Sequence, residues 1–61
     1  MLKVGDVVKI YQDPVTKQDY EDLATLLAEY RTNENDGFSM WIVEFHDEPE
    51  SIYTRTIYEG D

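Results

Sequence analysis

The chain contains no cysteine, which excludes a disulfide staple, a thiolate zinc site and a nucleophilic thiol. It is equally poor in bases. Lys3, Lys9, Lys17, Arg31 and Arg55 stand against fourteen acids, for a formal net charge of −9. Binding to duplex DNA or RNA works through lysines and arginines that displace counterions from phosphates. Five cations scattered along the chain supply no such stripe, so direct nucleic-acid binding is disfavoured, as is adhesion to anionic lipid. Glycine occurs only at positions 5, 37 and 60, which rules out a glycine-rich phosphate loop. No apolar run approaches the roughly 20 residues of a membrane span. The opening Met1-Leu2-Lys3-Val4-Gly5-Asp6 also lacks the basic-then-apolar pattern of a secretory signal. With an intact starting methionine and no cysteine, the expected compartment is the cytoplasm.

Catalytic constellations are missing too. Ser39 and Ser51 are the only serines and His46 the only histidine, so no local pattern pairs a nucleophile with a base. His46, Asp47, Glu48 and Glu50 offer donors for a divalent cation, but solvated loop residues are the simpler account. Asn33 to Gly37 imitates part of a calcium loop. Aligning Gly37 with the glycine of such a loop puts Thr32 at its first ligand position and Val43 at its bidentate glutamate, so the match fails. A chain of this length buries only about 60% of the surface its unfolded form exposes. A cleft deep enough to exclude water would consume that core. The expectation is a single domain over residues 1–61 that is not an enzyme and uses no metal or cofactor.

What is present is β-forming. Apolar residues make up 41% of the chain, enough to fold despite the charge. Val7-Val8-Lys9-Ile10-Tyr11 and Ile52-Tyr53-Thr54-Arg55-Thr56-Ile57-Tyr58 are β-branched and aromatic. In Phe38 to Phe45, Phe38, Met40, Ile42 and Glu44 share one face and Ser39, Trp41, Val43 and Phe45 the other. Both faces are oily, which predicts a central strand with Trp41 in the core. Polar clusters at Gln12 to Asp22, Thr32 to Gly37 and His46 to Ser51 read as loops, with Asp36-Gly37 marking a tight turn that needs positive φ. Residues 19–31 are ambiguous. Tyr20, Leu23, Ala24, Leu27 and Tyr30 have the spacing of an amphipathic helix. As a strand, Ala24, Leu26, Ala28 and Tyr30 would face one way and Leu23, Thr25, Leu27 and Glu29 the other.

The order Gly5-Asp6-Val7-Val8-Lys9-Ile10-Tyr11, Leu23 to Tyr30, Met40-Trp41-Ile42-Val43-Glu44-Phe45 and Tyr53-Thr54-Arg55-Thr56-Ile57 resembles a small SH3-like barrel of the KOW or Tudor type. Trp41 to Phe45, followed by an aromatic and Arg55, is also similar to short barrel proteins of bacteriophages and prophages. The resemblance implies a mainly β, five-stranded barrel in which residues 23–31 are a strand and Gln12 to Asp22 form a long acidic first loop. The competing fold is α+β, a three-stranded sheet with one helix at about residues 19–31. Peptide-binding SH3 domains are similar in the acidic first loop, Trp41, Pro49 and Tyr53. Their alanine-leucine-tyrosine-aspartate-tyrosine run, and the glycine before the proline, are absent here. Recognition of proline-rich peptides is therefore not implied.

The remaining signal is surface chemistry. Tyr11, Tyr20, Tyr30, Trp41, Tyr53 and Tyr58 exceed what a small core can hide, and tyrosine beside acids suits a cationic partner. The expected partner surface comprises Asp13, Asp19, Tyr20, Glu21 and Asp22 of the first loop, with Asp47, Glu48, Glu50 and Tyr53. Arg55 reads as a strand residue that pairs with an acid. The functional expectation is a protein-interaction module that binds a basic protein. The competing readings are an acidic DNA mimic that inhibits a nucleic-acid-binding enzyme and a small self-assembling subunit, a homo-oligomer.

Overall fold

The structure, a computed structural model, describes residues 2–33 and 37–59. It contains four strands, β1 (Val7–Asp13), β2 (Gln18–Asn33), β3 (Phe38–Phe45) and β4 (Ile52–Tyr58), paired antiparallel in the order β1-β2-β3-β4. No helix occurs among the described residues, and none is long and apolar enough to cross a membrane. The sheet curls into a half-barrel. Five strands were expected; the described residues hold four, with β2 reaching back through residues expected to be loop. β2 runs for 16 residues. Its first half pairs with β1 as far as Thr25, and its second half pairs with β3 from Ala24 onward.

The helix at 19–31 is overturned by strand pairing. Four of its would-be buried positions, Tyr20, Leu23, Leu27 and Tyr30, are exposed, whereas Ala24 and Leu26 are fully buried. The period that organises burial here is two, and pairing on both sides overrides helix propensity. The long first loop is also corrected. Only residues 14–17 separate β1 from β2, because the Asp13 carboxylate satisfies the turn itself. Its Oδ1 accepts the backbone N–H of Val15 at 3.1 Å and of Thr16 at 3.2 Å. Lys17, at φ 59°, then donates its N–H to the Asp13 carbonyl at 2.9 Å. In the second predicted loop, Thr32 and Asn33 belong to β2, and Gly37 adopts the positive φ expected of it, 80°. Asp36 lies outside the described residues.

Three irregularities bend β2. The register slips between Ile10 and Tyr11 of the β1 pairing, leaving Glu21 as the extra residue, and again around Leu27 and around Tyr30 in the β3 pairing. Each bulge bends its strand and adds right-handed twist, which is how one strand serves two directions of the sheet. The concave face then closes over Ile10, Ala24, Leu26, Trp41, Val43 and Phe45, with Leu2, Val8 and Ile57 packed against them. β3 alternates as its sequence requires. Ser39, Trp41, Val43 and Phe45 are buried, and the Trp41 indole N–H donates to the Ser39 hydroxyl at 2.9 Å. Before β1, Gly5 donates to the Leu26 carbonyl at 2.8 Å and Leu26 returns a bond to the Asp6 carbonyl at 2.9 Å. A side chain at Gly5 would meet nothing, so only its φ of 96° calls for glycine there.

A domain of this size has a total stability of about 3–9 kcal/mol. Leu26→Ala, at a fully buried site, is expected to cost about 2–5 kcal/mol and so to unfold much of the population. Leu27→Ala, one residue along at the bulge, should cost less than about 1 kcal/mol. Urea denaturation of the two variants checks the placement, since equal losses would contradict it.

Candidate functional site

β4 places Tyr53, Arg55 and Ile57 on the concave side, opposite Val43, Trp41 and Ser39 of β3. Arg55 is the centre of what forms there. Its Nε donates to Glu21 Oε1 at 2.8 Å and its Nη2 to Glu21 Oε2 at 3.3 Å, while Nη1 donates to the Thr54 carbonyl at 3.0 Å. The guanidinium lies 5.2 Å from the Phe45 ring and 5.2 Å from the Tyr53 ring. Those two rings meet edge to face at 5.4 Å. Glu21 reaches this point because it is the extra residue of the first bulge. Both side chains are largely covered, at 31% and 22% exposure. A forked, partly desolvated pair contributes more than the roughly 0–1 kcal/mol of an exposed one.

An acidic rim surrounds the pair. Asp22 Oδ2 accepts the Asp47 backbone N–H at 2.9 Å, which fastens the β3–β4 turn to β2. The Tyr53 hydroxyl donates to Glu48 Oε2 at 3.1 Å. The Asp47 amide holds the Asp22 carboxyl below its ordinary value of 3.8. Asp47 is pushed above 3.8, first by desolvation and then by the negative charges of Asp22 and Glu48. Together with Glu21, Phe45 and Arg55, these groups line a shallow depression of about 160 Å³. Four carboxylates there face one guanidinium, and Glu21 already neutralises it. The volume suits one side chain of a partner, below the roughly 300 Å³ at which small-molecule pockets begin.

The fold brings Glu21, Asp22, Asp47, Glu48 and Tyr53 together from the predicted surface, and leaves the others apart. Asp13 caps the hairpin, and the N–H of Thr16 holds its carboxyl below 3.8. Asp19 is exposed on β2 at φ 60°. Tyr20 packs edge-on against its cross-strand neighbour Tyr11 at 5.6 Å. Glu50 is exposed in the β3–β4 turn and does not line the depression. His46 Nε2 lies 3.0 Å from Thr25 Oγ1. Among the described residues no group of three or more histidines and acids is set to hold a metal ion. Phe45 and Arg55 were not anticipated as part of this surface. Arg55 is the only base after Arg31 in an acid-rich chain, and that isolation was the available signal. Comparison with protein-family models, curated proteins and solved structures finds no match to this chain.

Two outcomes follow from these contacts. A double-mutant cycle of Glu21→Gln and Arg55→Met, read by urea denaturation, should give a coupling of about 1–2 kcal/mol. A coupling of zero would mean that the pair is not formed in solution. In acid, Asp13 and Asp22 have lowered values in the folded state, so the stability they lend is present above 3.8 and lost as pH falls through those lower values. Asp47, raised, works in the opposite sense, and its protonation above pH 3.8 relieves strain between carboxylates. Asp22→Asn should therefore flatten the loss of stability below pH 3.8, and Asp47→Asn should stabilise the fold at neutral pH. Thermal melts across the acid range read both signs.

Proposed function

We propose that this chain is a non-catalytic interaction module with an SH3-like half-barrel fold, and that it docks a basic segment of a partner protein on the rim formed by Asp22, Asp47 and Glu48. The observation that carries the reading is the excess of carboxylate beside two aromatic rings. Asp47 is held above its ordinary value first by desolvation and then by the charges of Asp22 and Glu48, and an incoming lysine or arginine relieves the second of these. The Tyr53 ring, exposed and already contacted by a guanidinium at 5.2 Å, supplies the ring surface that a second cation uses.

The test begins with capture of partners from a host lysate at low salt, followed by titration of the purified partner. Replacing the rim with Asp22→Asn, Asp47→Asn and Glu48→Gln should weaken binding at least about tenfold, or about 1.4 kcal/mol. Asp19→Asn and Glu50→Gln should leave binding within about twofold. Binding should also weaken steeply as salt rises. A partner whose affinity ignores both the rim substitutions and the salt would overturn the proposal.

A further inference from the structure

β3 has oil on both faces, and only one of them is covered. Ser39, Trp41, Val43 and Phe45 are buried on the core side, so Phe38, Met40, Ile42 and Glu44 stand on the convex side. Strand pairing extends that side in rows. Thr25 and Ile52 flank Glu44, Ala28 and Thr54 flank Ile42, and Arg31 and Thr56 flank Met40. The two bulges of the β2–β3 pairing enlarge it. Each sets two residues of β2 against one of β3, which adds Leu27 beside Ile42 and Tyr30 beside Met40. Leu27, Tyr30 and Ile52 are exposed. Among the described residues there is a single sheet and no second layer to cover this face.

The charges of the face are selective too. In a chain of net charge −9, these three rows hold one acid, Glu44, and one base, Arg31. Neither side chain has a hydrogen bond or ion pair among the described residues. Arg31 lies beside Met40, and Met40 and Glu44 are four residues apart along β3, about 13 Å. A two-fold axis supplies each with a partner. Packed sheets lie about 10 Å apart with strands aligned to within about 30°. An axis crossing the strands over the row of Ala28, Ile42 and Thr54 lays Ile42 on Ile42 of the second copy and exchanges the rows on either side. Glu44 then faces Met40 of the second copy and has that copy's Arg31 one strand away, about 4.8 Å to the side. Symmetry forms the same pair in reverse. Arg31 stays about 13 Å from its own equivalent, as does Glu44. An axis along the strands would instead set Glu44 on Glu44, a repulsion. We infer that the convex face of β2, β3 and β4 is a docking surface for a second copy of this chain, in a two-fold sandwich centred on Ile42 and fastened by reciprocal Arg31–Glu44 pairs.

The curl of the sheet carries β1 away from the second copy, so the contact is smaller than a standard interface of about 800 Å² per partner. Association is therefore weak and depends on concentration. The rim at Asp22, Asp47 and Glu48 gathers with Tyr53 and Arg55 of the concave side, so the dimer is independent of the basic-partner docking proposed above.

Sedimentation equilibrium of the full chain in about 0.15 M NaCl should show monomer passing to dimer as concentration rises toward about 1 mM. Arg31→Glu and Glu44→Arg each bring like charges together across the interface, and each should weaken the dimer at least about tenfold. Glu44→Arg should do so even though it makes every copy less negative. Mixed in equal amounts, the two single variants complement each other at both pairs, so a heterodimer should form. The chain carrying both substitutions should dimerise as the unmodified chain does. Recovery on mixing requires folded copies and so separates lost pairing from lost folding. Neutralising Asp22, Asp47 and Glu48 should leave the dimer in place. A monomer at every concentration, single variants that dimerise unchanged, or a mixture that stays monomeric would each overturn the inference. Backbone amide resonances of the unmodified chain give a check free of variants. Those of Ala28, Met40 and Ile42 should shift with protein concentration while those of Asp22 and Tyr53 hold still, and the opposite pattern, or no shift at all, overturns the assignment as well.

Discussion

The forked bond between Glu21 and Arg55 joins residues 34 apart in sequence and sits where the curled sheet has no strand-to-strand pairing. Strands β1 and β4 form the two margins of the half-barrel, and neither bonds to the other. The ion pair spans that opening from the first half of β2 to the middle of β4. It also fixes the position of the two rings that Arg55 contacts. Through Tyr53 it reaches Glu48, and the neighbouring Asp22 holds Asp47. The acidic rim is therefore an outgrowth of the same contact that keeps the sheet curled. The candidate site and the contact across the open margin of the half-barrel share Arg55 and Glu21.

The excess of acid is divided into two kinds of use. Some carboxylates complete the backbone: Asp6 accepts the Lys3 amide, Asp13 the amides of its turn, and Asp22 that of Asp47. For Asp13 and Asp22 such bonds favour the charged form and lower the proton affinity of the carboxyl. Asp47 belongs to the second kind. It sits where burial and neighbouring charge oppose its ionisation, a state that a folded chain keeps only at some cost to stability.

Much of this architecture was legible in the residues. The strands at 38–45 and 52–58, the placement of Trp41 in the core and the positive φ at Gly37 follow directly from alternation and turn chemistry. Residues 19–31 were not decided, because their apolar spacing satisfies a period of 3.6 and a period of 2 together, and only pairing on both sides chooses between them. The bulges escaped notice for a related reason. Glu21, Leu27 and Tyr30 carry no glycine or proline to mark them, and each becomes an extra residue only against a partner strand. Since the bulge at Glu21 aims that side chain at Arg55, the centre of the site was hidden along with it. The acids of the rim were visible by composition. Which of them gather was a matter of hairpin length, set by how completely Asp13 satisfies a turn of residues 14–17.

The neighbour-only order of the sheet also bears on how the chain reaches this state. Every strand pairs with the one before or after it in sequence, so each closure spans a short loop and little chain entropy is spent before contacts form. The meander can assemble as successive hairpins, a fast route for an all-β topology. The hairpins of β2 overlap only at Ala24 and Thr25, the residues paired on both sides. Those two positions are the seam through which one hairpin templates the next. The bond from Glu21 to Arg55 can form only once β2 and β4 are both in place.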